Sequence, residues 1–181
     1  MKKIIIISAL LFLLSLIHPT LSFQGIAAQE EISVREVTSF TYLCLPHKGP
    51  FTDFQEVLGN LMLNMRQQNI VPGGPMIGVY YSTPDLVKPE ELEWEIGFPI
   101  TPQTLVQAPL QKKQWIFTTV ATAVHKGPYE TSGETYQKIA EWLDQNNYES
   151  AGPILERYWT DPSQVRPEEL KTEIWAPVRK K

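Results

Sequence analysis

Gly152-Pro153-Ile154-Leu155-Glu156-Arg157-Tyr158-Trp159-Thr160-Asp161-Pro162 is a β-type run between two turn signals, Gly-Pro before it and Asp-Pro after it. Side chains on a strand alternate between faces, so Ile154, Glu156 and Tyr158 share one face and Leu155, Arg157 and Trp159 the other. A carboxylate beside an aromatic in mid-strand is either a solvated edge position or part of a site.

Working outward, the chain repeats itself. His47-Lys48-Gly49-Pro50-Phe51 recurs 78 residues later as His125-Lys126-Gly127-Pro128-Tyr129. Gly74-Pro75 recurs as Gly152-Pro153, Pro89-Glu90-Glu91-Leu92 as Pro167-Glu168-Glu169-Leu170, and Glu95-Ile96 as Glu173-Ile174, all at the same offset without a gap. One structural unit is therefore used twice. Each copy is too short to bury a large core alone, so the two are expected to pack together. At this offset Glu156 falls opposite Gly78, Tyr158 opposite Tyr80, Trp159 opposite Tyr81 and Arg157 opposite Val79. One half then supplies charge and the other supplies room.

The 181 residues suit one domain, or two fused halves acting as one. Met1-Lys2-Lys3, the apolar run Ile4 to Ile17, the break at His18-Pro19 and the small residues Gly25, Ala27 and Ala28 have the layout of a secretory signal peptide over 1–28. An uncleaved N-terminal anchor is the alternative. The expectation is an exported protein, periplasmic or secreted, with no membrane contact beyond the leader. Removing Lys2 and Lys3 with the leader takes the net charge from −4 to −6. Nucleic acid demands clustered Lys and Arg, so it is not expected as a partner; a cationic ligand suits the balance better. The lone Cys44, in the apolar run Phe40 to Leu45, reads as a buried structural thiol.

Strands are expected at Glu31 to Val37, Ser39 to Leu45 (closed by Pro46), Met76 to Ser82 and Leu92 to Phe98. In the last of these, apolar residues alternate with Glu91, Glu93, Glu95 and Gly97, giving one apolar and one acidic face. A helix carries Phe54, Val57, Leu58, Leu61, Met62 and Met65 at helical spacing. Residues 101–112 link the halves, with a short strand possible at Thr104 to Ala108. The second half repeats the order: strand Trp115 to Val124, helix with Tyr136, Ile139, Ala140 and Leu143, strands Ile154 to Trp159 and Leu170 to Val178. Each half reads β-α-β-β, a small antiparallel sheet with a helix on one face, which is α+β. Repeat one runs over about 31–100 and repeat two over about 113–178.

These landmarks resemble the GyrI-like domain, also called the AraC-type effector-binding domain of bacterial transcription activators. The resemblance is carried by His125 to Glu130, the helix with Tyr136 and Trp142, Gly152-Pro153 with Glu156-Arg157-Tyr158, and Thr172-Glu173-Ile174 with Pro177-Val178. It extends over 29–181 and implies two halves related by a pseudo-twofold with a ligand cleft between them. Members bind small molecules, often lipophilic cations, and Glu156 matches a Glu at the bottom of an aromatic-lined pocket. Some stand-alone members resemble hydrolases of strained cyclopropane-containing compounds that use a Glu and a Tyr; others bind DNA gyrase. A leader stands here where the regulators have a helix-turn-helix, which argues against promoter switching and against action on gyrase.

A cation in an apolar cleft requires a counter-charge and π faces. The expected ligand-binding set is Glu156, Tyr158, Tyr129, Tyr80, Trp94, Trp175 and Gly78, with Glu156 as anionic anchor and Tyr158 as its nearest aromatic. Trp94 is open between core and pocket, Trp175 reads as a rim residue, and Tyr129 either reaches the cleft or caps the helix. Tyr136 and Trp142 read as core. His47 and His125 precede Gly-Pro turns and read as structural. No zinc-type cluster, phosphate loop or Ser-His-Asp set is legible, so neither metal nor cofactor is expected. The alternatives are a hydrolase of strained-ring electrophiles, with Glu156 and either Tyr129 or Tyr158 catalytic, and a protein-interaction module whose partner the sequence does not name.

Overall fold

The computed structural model describes residues 32–181; the leader expected at 1–28 lies outside them. Among the described residues nine strands and two α-helices follow in the order β1 (Ser33–Glu36), β2 (Phe40–Lys48), α1 (Phe54–Gln67), β3 (Met76–Tyr80), β4 (Glu93–Pro99), β5 (Gln111–Trp115), β6 (Thr119–Lys126), α2 (Ser132–Gln145), β7 (Tyr148–Ser150), β8 (Ile154–Tyr158) and β9 (Lys171–Lys180). The first half follows β-α-β-β, the second repeats that order with the short β7 added after α2, and the fold is α+β as expected. α1 and α2 begin 78 residues apart. Their ends are set by Asn69 and Asn147, also 78 apart, which take the left-handed conformation that stops a helix.

The strands form one antiparallel sheet in the order β1-β6-β9-β8-β3-β4-β2-β5, with β7 added alongside β9. Read outward from the central β3–β8 pair, the order is symmetric. The halves meet edge to edge, which pairs the backbone groups that each three-strand sheet would otherwise leave open at its edge. β3 and β8 are in register with Gly78 against Glu156, and Met76↔Tyr158 and Tyr80↔Ile154 flank that pair. At an offset of 78 the central pair maps onto itself and the flanking pairs exchange.

Each terminal strand lies in the other half. β1 pairs with β6, Ser33 against Thr122, and β5 pairs with β2, Gln111 against Cys44. The strand considered for Thr104 to Ala108 is absent; β5 follows instead at 111–115, and it is the 78-residue counterpart of β1. β2 runs past Pro46 to Lys48. Beyond Cys44 only β4 pairs with it, and a proline without N–H is tolerated at such an edge.

Both helices cover the same face. Register partners Ile96, Gly78, Glu156, Ile174 and Ala123 run across the sheet on one side. Ile96 packs with Val57, Leu61 and Met65 of α1, and Ile174 with Ile139 and Leu143 of α2. Met62, expected to face the core, is 44% exposed, because the buried stripe of α1 is the narrower Val57-Leu61-Met65 line. The opposite face holds a third core of Tyr42, Cys44, Ile77, Val79, Trp115, Val120, Leu155 and Trp175. Phe40 of β2 meets Trp175 of β9 at 6.4 Å between ring centroids. These strands are four positions apart in the sheet, about 19 Å if it were flat at the usual strand spacing. The sheet therefore curls around this third core, with the helices outside.

Candidate functional site

α1 packs on β2 and β4, and α2 on β6 and β7, so the central strands β3 and β8 lie between the helices. The helix-side residues of those strands floor the gap: Met76, Gly78 and Tyr80 from β3, and Ile154, Glu156 and Tyr158 from β8. The strand alternation legible in Ile154-Leu155-Glu156-Arg157-Tyr158 is what aims Glu156 into this gap and Arg157 out of it. Arg157 pairs with Glu173 at 2.9 Å and lies over the rings of Trp159 and Trp175 on the far side.

Glu156 is 7% exposed. Its Oε1 accepts a hydrogen bond from the Tyr136 hydroxyl of α2. Its Oε2 accepts one from the Tyr158 hydroxyl at 2.6 Å. Tyr158 and Tyr80 are 2.5 Å apart at their hydroxyls. Tyr158 has one proton and directs it to the carboxylate, so Tyr80 donates to Tyr158. Burial pushes the Glu156 carboxyl above its ordinary 4.5, and the hydroxyls of Tyr136 and Tyr158 with the nearby His125 offset only part of that. Burial and the negative charge of Glu156 raise all three tyrosines, Tyr136, Tyr158 and Tyr80, so their protons stay in place as donors.

Aromatic rings wall the gap. Tyr129, 36% exposed at the turn before α2, sets its ring against Tyr158 at 5.6 Å. Phe51, its 78-residue counterpart, meets Tyr80 at 5.6 Å, and Phe54 meets Tyr158 at 6.4 Å. Glu156, Tyr158, Tyr80 and Tyr129 are thus brought together. Phe51, Phe54 and Tyr136 join them, although the sequence reading missed them. Tyr136 was read as core from helical spacing, but its hydroxyl reaches Glu156. The available signal was its counterpart Leu58: a hydroxyl replaces an apolar group in the half that also carries the acid.

Three expectations change. Gly78 was read as leaving room for a guest, but a Cβ there would lie 2.8 Å from the Tyr80 hydroxyl and 3.0 Å from that of Tyr158. The missing side chain makes way for the tyrosine hydroxyl pair. Trp94, open between core and pocket, is 1% exposed in the first-half core, stacked on Phe54 and donating its indole N–H to the Gly49 carbonyl at 2.9 Å. It backs the wall through Phe54. Trp175 points to the face opposite Glu156, because it is one residue out of phase with Ile174, the register partner of Glu156.

On the acidic face expected over Leu92 to Phe98, Glu91 and Glu93 are exposed, but Glu95 is not. Glu95 is 1% exposed on the inside of the curl, where Tyr42 (2.7 Å) and Tyr81 (3.0 Å) donate to it and Lys113 of β5 pairs with it. Hollows of about 370 and 440 Å³ flank Tyr81 and Lys113 there. Cys44 lies beside them, fully buried, its thiol raised by that burial and by the charge of Glu95.

The model of the GyrI-like small molecule binding domain matches residues 30–179. No curated protein matches the sequence. Among solved structures, the EcmrR C-terminal domain superposes with a TM-score of 0.73 at 18% identity, covering 84% of this chain and 99% of that one. In the EcmrR–DNA complex the same likeness spans only 59% of the longer EcmrR chain. A hydrolase encoded by lin2189 from Listeria innocua gives 0.62 at 14% identity, over 85% of this chain and 94% of that one. SAV2435, solved bound to tetraphenylphosphonium, gives 0.53 at 12% identity, over 82% and 94%. At these identities the likeness is one of fold.

Proposed function

Since the chain belongs to the family of GyrI-like small-molecule-binding domains, we propose that the gap between α1 and α2 takes a hydrophobic organic cation with Glu156 as its counter-charge. The observation that carries this reading is the environment of Glu156. A carboxylate is held inside the fold by neutral hydroxyl donors, and burial has raised it above its ordinary range. A bound cation supplies the missing charge and offsets the cost of holding the carboxylate away from water. The rings of Tyr129, Phe51 and Tyr158 add cation–π contact of about 0.5–2 kcal/mol each, according to how dry the site becomes.

The test is binding of lipophilic cations by calorimetry; tetraphenylphosphonium is a suitable first probe because SAV2435, of the same fold, is bound to it. Glu156→Gln keeps the shape and removes the charge, and should weaken binding by about tenfold or more. Unchanged affinity in that variant removes Glu156 from the role. The raised carboxyl beside the Tyr158 donor also suits general-base chemistry. Product formation from strained-ring electrophiles, abolished by Glu156→Gln while binding of the intact compound survives, would identify a hydrolase on the same residues.

The basic, apolar and small-residue order of 1–28 supports export of the domain. N-terminal sequencing of protein expressed with its leader tests this: a start within the small residues after His18-Pro19 supports cleavage, and an intact Met1 supports the anchor.

A further inference from the structure

The inside of the curl is built differently in the two halves. Arg157 and Glu173 of the second half correspond, 78 residues earlier, to Val79 and Glu95, and both are register pairs. Arg157 bonds to Glu173 at 2.9 Å, with its guanidinium 4.4 Å from the Trp159 ring and 4.9 Å from the Trp175 ring. Val79 is shorter and carries no charge, so the cation for Glu95 comes instead from Lys113 of β5. Beside Val79 lies the hollow of about 370 Å³. That volume is within the roughly 300–1,000 Å³ usual for small-molecule sites.

Its walls are apolar and held in place. Val79, Trp115, Phe117 and Pro153 line it. Phe117 meets Trp115 edge-on at 5.0 Å. It also rests on Gly152, where a Cβ would lie 2.5 Å from a carbon of the Phe117 ring, so glycine there seats the ring. Ile116, 65% exposed, stands at the mouth. Among the described residues that line the hollow, Lys113 is the only charged one. Its side chain is 33% exposed, whereas Glu95 is 1% exposed and does not reach this hollow. An ammonium has three protons and Glu95 accepts one. Tyr42 and Tyr81 also donate to Glu95, so that carboxylate does not depend on Lys113 alone. Burial lowers the Lys113 ammonium, but the hydrogen bond and charge of Glu95 outweigh it, so it lies above its ordinary 10.5 and stays charged at neutral pH. The neighbouring hollow of about 440 Å³ holds Lys48 with Glu93 at 3.5 Å and Lys113 with Glu95, so its charges already balance.

We propose that the hollow beside Val79 binds a small aromatic carboxylic acid as its anion, with the ring against Trp115 and Phe117 and the carboxylate on the Lys113 ammonium. This site lies on the face opposite Glu156, takes the opposite charge and stands independently of the cleft reading. Trp115 and Phe117 favour an aromatic body, since ring pairs gain more than their buried area alone. One ammonium without a second cation suits a single negative charge rather than a phosphate dianion.

Cinnamate is the probe, and cinnamamide is its uncharged control. Calorimetry on the purified protein should show cinnamate binding and cinnamamide binding about tenfold or more weaker. In proton–nitrogen NMR spectra cinnamate should shift the indole N–H signal of Trp115, identified by its loss in Trp115→Phe, and leave that of Trp142 on α2 in place. Lys113→Gln keeps a donor for Glu95 but removes the charge, and should bring cinnamate down to the affinity of cinnamamide. Ile116→Asp sets a negative charge at the exposed mouth, where folding is not at stake, and should weaken cinnamate by about threefold or more with cinnamamide changed by less than about twofold. Tetraphenylphosphonium should neither displace cinnamate nor lose affinity in these two variants. Equal binding of acid and amide, cinnamate affinity unchanged in both variants, or displacement of cinnamate by tetraphenylphosphonium overturns the site. Absence of cinnamate binding overturns it too, and leaves the cleft reading to its own test in Glu156→Gln.

Discussion

Glu156 is the residue on which the proposed site turns, and its burial has a thermodynamic consequence. Its folded-state value lies above the ordinary 4.5 of the unfolded chain. The sign follows: the stability associated with the protonated form is fully present below 4.5 and is lost as pH rises through the raised folded value. Above that range the empty protein holds an ionised carboxylate away from water. Glu156→Gln should therefore melt higher than wild type at neutral pH, and the difference should shrink below pH 4.5, as thermal melts across pH will show. Equal melting temperatures at neutral pH would mean that the carboxylate is well solvated. Glu156 was legible in the sequence because the repeat sets it against Gly78. Tyr136 was not, because a tyrosine on the buried stripe of an amphipathic helix reads as core, and only its hydroxyl, placed by tertiary packing, reaches the acid.

Among the elements, β4 and β2 leave no room for a side chain at Gly97. A Cβ there would lie 1.8 Å from the Leu43 carbonyl oxygen and 2.8 Å from the Cα of Cys44, both backbone. Gly97→Ala should cost about 3 kcal/mol or more, in the range reserved for backbone clashes in the core, read as a shift in the urea midpoint; a shift near zero would show that β2 and β4 separate easily. The helices and most strands were legible from periodicity. The exchange of β1 and β5 between halves was not: local alternation says that a strand exists, but choice of sheet edge depends on contacts far along the chain. Ser33 against Thr122 and Gln111 against Cys44 are such contacts.

For the molecule as a whole, the curl of the sheet separates two environments. The inside packs aromatic and aliphatic side chains around Trp115 and Trp175, with Glu95 satisfied by Tyr42, Tyr81 and Lys113 beside the two hollows. The outside carries the helices and, between them, Glu156. Trp175, expected at the rim of a cleft, instead ties the curl together through Phe40. Trp175→Ala should cost about 3–5 kcal/mol, measured by denaturant unfolding, and should leave a fixed-charge cation bound with near wild-type affinity where the protein remains folded. A selective loss of binding at unchanged stability would return Trp175 to the site. The α+β class and the repeat were legible because both rest on local pattern; the single curled sheet was not, since its curvature follows from how the two halves join.

The central claim is that the buried Glu156 carboxylate is the counter-charge for a cation. Tetraphenylphosphonium has a charge that does not titrate, so any pH dependence of its binding comes from the protein. Its affinity for the wild-type protein should rise with pH as Glu156 ionises above 4.5 and then level off, while Glu156→Gln binds weakly with no such rise. Wild-type affinity that is flat across this range, or a Glu156→Gln variant that binds as tightly as wild type, would contradict the account.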